Sequence, residues 1–247
     1  MTLVEQLAPA PRKRSRHVTR SVMDELGCRI IAGHYPQLSA LPTETQLCAE
    51  FGVSRTALRE ATKMLAAKGL VIARRRAGTV VQPAAQWNRL DPDVLAWMDT
   101  ADPDPEFVRG LVEARLVIEP AAAALAAARA SASDLALIEQ GFLAMQEVDQ
   151  FHVADFAAAD VAFHVAILNA SKNPVFMGLS NLIGQALRSS VRLTTPASND
   201  YPRALHAHGD VLEAIRLRQP EQARARMQAV IELAALDLSS ASAHRGT

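Results

Sequence analysis

Apolar residues recur at helical spacing along most of this chain. Between 17 and 32 they fall at Val22, Leu26, Ile30 and Ile31, and Gly33 closes the segment. The stretch LPTETQLCAEFGVSRTALREA at 41–61 then holds two short helices joined by a tight turn. Thr43 is placed to cap the first, and Gln46, three residues on, completes a capping box. Leu47, Ala49 and Phe51 make its apolar side, and Gly52 supplies the left-handed residue that ends it. Ser54 caps the second helix. Ala57, Leu58, Ala61, Met64 and Leu65 turn inward there, while Arg55, Thr56 and Arg59 occupy its first two turns. After Gly69 the period changes: LVIARRRAGTVVQP predicts two short strands, 70–73 and 79–81, around an Arg-rich turn with Gly78.

Pro83 closes this first region. A connector at 84–104 carries one short amphipathic helix with Leu90, Val94, Leu95, Trp97 and Met98. Helical periodicity then predicts segments at 105–130, 133–149, 151–171, 173–195, 201–218 and 220–238, with no strand signal after 82. Pro120 falls inside the first of these and must bend it or leave a carbonyl free. Short connections between amphipathic helices imply an antiparallel bundle. The expected fold is therefore mainly α. A basic flexible arm (1–16) precedes a winged helix-turn-helix (17–83), the connector (84–104), an all-α antiparallel helical bundle (105–238) and a flexible tail (239–247).

Charge separates the two parts. Residues 1–84 hold 13 Lys+Arg against 6 Asp+Glu, a net of +7, and the remainder holds 13 against 20, a net of −7. A basic first domain suits a polyanion and the acidic remainder does not. The Ala- and Leu-rich composition favours helices. Cys28 and Cys48 fall on apolar helix sides, which fits buried free thiols in a reducing compartment. The N-terminus lacks the apolar core of a signal peptide, and no apolar run is long enough to cross a bilayer, so a cytoplasmic protein without a membrane partner is expected.

In a helix-turn-helix the start of the second helix meets base edges in the major groove, and a wing tip lies over the minor groove or backbone. Arg55 is the candidate for a forked contact to guanine. Thr56 suits a phosphate or a thymine methyl, and Arg59, a turn later, a phosphate. Arg75, Arg76, Gly78 and Thr79 would make the wing contact.

LPTETQLCAEFGVSRTALREATKMLAAKGLV, with a wing ending in GTVV, resembles the GntR family of bacterial transcription regulators. EARLVIEPAAAALAA at 113–127, ADVAFHVAIL at 159–168 and HGDVLEAI at 208–215 resemble the all-helical FCD domain of its FadR-type branch. The connector AAQWNRLDPDVLAWM is similar to that of sugar-acid regulators, galactonate-operon repressors in particular. In this family the position of Thr45 is often a DNA-contacting Arg, and here the side chain is short and uncharged.

Asp160 and His164, four residues apart, project from one face of a helix and form either a divalent metal site or a satisfied polar pair. The resemblance implies metal binding by an Asp, a His one turn on and two later His. His208 matches the first later His, with His206 less suited, and Val230 stands where the second is often found. Three protein ligands would leave positions for water or a ligand's oxygens. Zinc is the first expectation, with manganese and nickel also open, as is direct effector binding by the three residues without metal. By resemblance, Arg115 and Arg188 fork onto the carboxylate and hydroxyls of a sugar acid, with Arg192 as a substitute and Asn169 within reach of the cavity. The alternative is a salt bridge to Glu113, Glu119 or another bundle acid.

The expected function is a homodimeric repressor of palindromic double-stranded operator DNA, released by a small carboxylate or sugar-acid effector. A metal-dependent hydrolase is disfavoured by the missing nucleophile elbow, phosphate loop and general-base motif. An effector-independent architectural DNA-binding protein is disfavoured by the large acidic bundle with polar residues directed into it.

Overall fold

The helix pair at 41–61 forms where its capping residues stand. In the computed structural model, which describes residues 12–101, 104–148, 153–194 and 201–245, α1 (Arg12–Ile31) is followed by α2 (Glu44–Phe51) and α3 (Arg55–Ala67). Thr43 and Gln46 make the reciprocal capping box on α2, Gly52 ends α2 at φ 64°, and the Ser54 side chain accepts from the Ala57 amide at 3.2 Å. Strands β1 (Val71–Arg74) and β2 (Gly78–Val81) pair antiparallel, Val71 opposite Val81 and Arg74 opposite Gly78. The loop before α2 adds a short third edge: Ala40 bridges Val80, and the Leu41 amide donates to the Thr79 carbonyl at 2.8 Å. Gly69, between α3 and β1, has φ +79°, and a Cβ there would lie 2.2 Å from the Gln86 carbonyl oxygen. Both the turn and the close approach therefore require glycine.

The chain divides into two compact units, Met1–Asp102 and Pro103–Thr247. The connector helix α4 (Pro92–Thr100) belongs to the first and shares its core. Val94 and Trp97 are buried, and the Trp97 ring occupies the space over Gly27 of α1, where a Cβ would meet it at 2.5 Å. Lys68, at the end of α3, places Nζ 2.7 Å from Asp91, the α4 cap, and 2.7 Å from Asp93, which also pairs with Arg20.

The second unit contains α5 (Pro105–Arg129), α6 (Ala132–Glu147), α7 (Val153–Ala170), α8 (Pro174–Gly178), α9 (Ser180–Thr194), α10 (Tyr201–Arg216) and α11 (Pro220–Arg245). Buried Ala122, Ala123, Ala126 and Ala127 keep one face of α5 low, and α11 packs along that helix. Phe163, Ile167, Ile138, Val211 and Ile231 fill the bundle core. Arg218, in the turn after α10, donates to the carbonyls of Ala127 and Ala130 at the end of α5, groups a helix terminus leaves without internal partners.

Element bounds differ most from the sequence reading in three places. The predicted helix 173–195 is two, with a break after Gly178, a poor helix former. Pro120 sits inside one helix as expected, and α5 continues through it. Residues 12–16 of the predicted arm are helical, since nothing after Pro11 breaks a helix, and residues 1–11 lie outside the described residues. Likewise α11 runs on to Arg245, because no Gly or Pro interrupts it before Gly246. Both cysteines are free and half-buried rather than fully buried. No helix among the described residues is long and apolar enough to cross a membrane.

Candidate functional site

Two surfaces carry chemistry, one in each unit. In the first, α3 presents Arg55, Thr56 and Arg59 to solvent, with Ser54 and Thr45 also exposed. Arg59 is not a lone cation: its Nε lies 3.0 and 3.1 Å from the carboxylate oxygens of Glu44 on α2, an acid missing from the sequence reading. Arg75 and Arg76 form the exposed wing turn, with Arg76 at φ +69°, before exposed Gly78 and half-buried Thr79. The backbone of Thr79 is committed to the sheet, so any outward contact falls to its side chain or to the arginines.

The second surface is buried. On α7, Asp160 and His164 stand one turn apart, and α10 brings in His208; all three are buried. Asp160 Oδ1 lies 3.4 Å from His164 Nε2 and 3.0 Å from His208 Nε2, and the two Nε2 atoms are 3.3 Å apart. The other nitrogen of each ring is engaged. His208 Nδ1 donates to the Ala204 carbonyl at 2.7 Å, and His164 Nδ1 donates to Glu119 Oε2 on α5. Glu119 Oε1 in turn accepts from Arg115 Nε at 2.5 Å. Phe163 packs edge-on against both imidazoles, and the backbones of α6 and α7 approach so closely beside it that a Cβ on Gly141 would lie 2.8 Å from Phe163.

The electrostatics follow from these contacts. Burial raises a carboxyl pKa, but Arg115 and His164 together bring Glu119 down to about 2. Asp160 is lowered in the same way, against burial, by His164 and His208. Burial disfavours a charged imidazole, yet Glu119 and Asp160 raise His164 to about 9.

Among the described residues, one buried side-chain atom lacks a hydrogen-bond partner, Asp160 Oδ1. Three potential ligand atoms, one carboxylate oxygen and two imidazole nitrogens, thus converge on one point. Their separations of 3.0, 3.3 and 3.4 Å match the edges of a coordination polyhedron. Bonds of about 2.1 Å give edges of roughly 3.4 Å in a tetrahedron and 3.0 Å in an octahedron. These residues fit a divalent cation bound through one face of its coordination shell.

The remaining predicted residues are placed less uniformly. Arg115 is 1% exposed and paired with Glu119, and its terminal nitrogens make no hydrogen bond to the described residues. Arg188 on α9 donates to buried Gln185 at 3.2 Å, and a Cβ on Gly184 would lie 3.4 Å from both its guanidinium and the Val161 side chain of α7. Asn169 is half-buried and nine residues beyond Asp160, about two and a half turns, on the opposite side of α7. The side chain of Arg192 lies outside the described residues. Val230 is buried in the bundle core. Glu119 as the partner of His164 was missed; the signal available was an acid one turn after Arg115 in an otherwise apolar run.

Comparison with known proteins agrees across both units. Residues 18–81 match the bacterial regulatory proteins of the gntR family, and 110–233 match the FCD domain. The galactonate operon transcriptional repressor of Escherichia coli K12 is 37% identical over 92% of this chain and 96% of its own. The helix-turn-helix transcriptional regulator YieP of the same organism is 31% identical over 81% and 86%. Among solved structures, Lar of Listeria monocytogenes, described as controlling expression of the agr system, covers 96% of this chain and 99% of its own. Its TM-score of 0.64 at 18% identity speaks for the fold alone.

Proposed function

Since the chain belongs to the GntR family of bacterial regulatory proteins and carries an FCD domain, we propose that it is a dimeric repressor released from its operator by a small carboxylate. That it is a DNA-binding regulator of transcription, and not an enzyme, comes with the family. Two copies would read half-sites of a palindrome through Arg55, Thr56 and Arg59, with Arg75, Arg76, Gly78 and Thr79 at the wing. Ser54 caps α3, and Thr45 adds only a short polar contact.

The observation that carries the sensing half of the proposal is the Asp160–His164–His208 triangle with its unsatisfied carboxylate oxygen. These residues would hold a divalent metal, zinc first, with manganese or nickel also compatible with the ligand spacing. A metal there supplies open coordination positions to ligand oxygens. Val230 offers no fourth donor, which supports an effector that helps complete the shell. Arg115, through its terminal nitrogens, and Arg188 provide cations for a carboxylate, and Asn169 stands on the far side of α7 as a weaker candidate. The galactonate-operon relative favours an aldonate. Such a ligand shifts the protein off DNA only by binding the DNA-incompetent arrangement more tightly.

A thermal-shift screen of tag-free protein against aldonates and uronates, with and without chelator, tests this. At a hundred times Kd a true effector adds about 2.7 kcal/mol of stability. The expected hit is an aldonate that also releases operator DNA in a gel shift, with both effects lost on chelation. No shift with any acid would refute the effector class, and a shift indifferent to chelator would refute the metal.

A further inference from the structure

We propose that Glu119 is the positioning residue of the cation site: it holds the His164 ring so that Nε2, not Nδ1, faces Asp160 and His208. The inference rests on the metal reading above. An isolated buried Arg–Glu pair ordinarily satisfies itself fork to fork, two parallel N–H donors on two carboxylate oxygens. Here the pair is divided: Arg115 gives only Nε to Oε1, at 2.5 Å, and Oε2 accepts the Nδ1 proton of His164. Both oxygens of a carboxylate that is 1% exposed are thereby held, and the imidazole plane is set from behind. His208 gets the same service from the Ala204 carbonyl, one turn back in its own helix. His164 instead directs Nδ1 to Glu119 on α5, 45 residues earlier in the chain. The site is therefore built from three helices, the third contributing orientation without a ligand. Arg115 stands at the far end of the same connection, so a carboxylate on its terminal nitrogens and a cation on His164 share Glu119. Outer carboxylates of this kind fix the tautomer and raise the basicity of a ligating histidine.

The test is Glu119→Gln. The amide has one acceptor oxygen where the carboxylate has two, so either His164 or Arg115 loses its partner. Zinc affinity of the full chain, measured by competition with a chelating dye, should fall about 10- to 100-fold. The hydrogen-bonded Nδ1 proton of His164, assigned by NMR, should move upfield or exchange too fast to observe. Melting by circular dichroism checks folding, and Arg115→Met combined with Glu119→Gln, which leaves no charge buried at that position, carries the same comparison should the single variant fail to fold. A purely structural ion pair would give lower stability with zinc affinity within threefold of wild type, and that result overturns the proposal. Zinc bound by neither protein overturns the metal reading itself, and the Nδ1 proton then decides alone whether Glu119 sets the ring.

Discussion

Replacing Lys68 by Met tests whether α4 is anchored to the end of α3 by charge. The Lys68 ammonium lies 2.7 and 2.8 Å from the Asp91 oxygens and 2.7 Å from Asp93. Exposed ion pairs contribute about 0–1 kcal/mol, and breaking a fully buried one costs about 3–5. Side-chain exposures of 12% for Lys68 and 19% for each acid put this joint between the two. After the substitution Asp91 keeps the amides of Asp93 and Val94, and Asp93 keeps Arg20, so neither acid is left bare. We expect a loss of about 2 kcal/mol, between the exposed and buried limits. For a unit near 100 residues this lowers Tm by about 8–16 °C. The readout is selective: both tryptophans, Trp87 and Trp97, lie in the first unit, and Lys68 sits 6.0 Å over the Trp97 ring. Tryptophan emission during heating therefore follows this unit alone, and the gap between variant and wild type should narrow in high salt. A midpoint within about 2 °C of wild type would mean the apolar seat of Trp97 holds α4 unaided, and the electrostatic reasoning would be wrong.

Two more outcomes are expected. Arg55→Ala should lose preference for operator over random DNA, a discrimination of about 1–3 kcal/mol for one forked base contact; unchanged competition in a gel shift would remove Arg55 from base reading. Lys172 and Ser131 hold Asp134, at the start of α6, down to about 2, below its ordinary 3.8, so its stabilising contribution is complete above pH 3.8 and is lost as pH falls toward 2. Asp134→Asn should flatten that part of the stability–pH curve, and an unchanged slope would show the contribution is absent.

What could be read from the sequence was local. Thr43, Gln46, Gly52 and Ser54 act on backbone within a turn of themselves, so their roles follow from spacing. Asp160 and His164 share a face for the same reason. His208 lies 44 residues from His164 and was reached only through resemblance. Helical period places Glu119 on an inward side but not against a particular histidine, and the Glu44–Arg59 pair depends on how α2 crosses α3. The amphipathic pattern at Trp97 announced a helix needing a partner; that the partner is Gly27 of α1 is a matter of shape, which no period encodes.

The seat of Trp97 also determines where this chain can be divided and recombined. A junction placed just after Pro83, at the end of the wing, would discard Val94 and Trp97 and leave α1 with an open apolar notch at Gly27. One placed beyond Thr100 carries α4 along with its seat. Chimaeras that give this DNA reader a foreign sensor should therefore be joined after α4, and natural exchange of sensors among relatives would meet the same boundary.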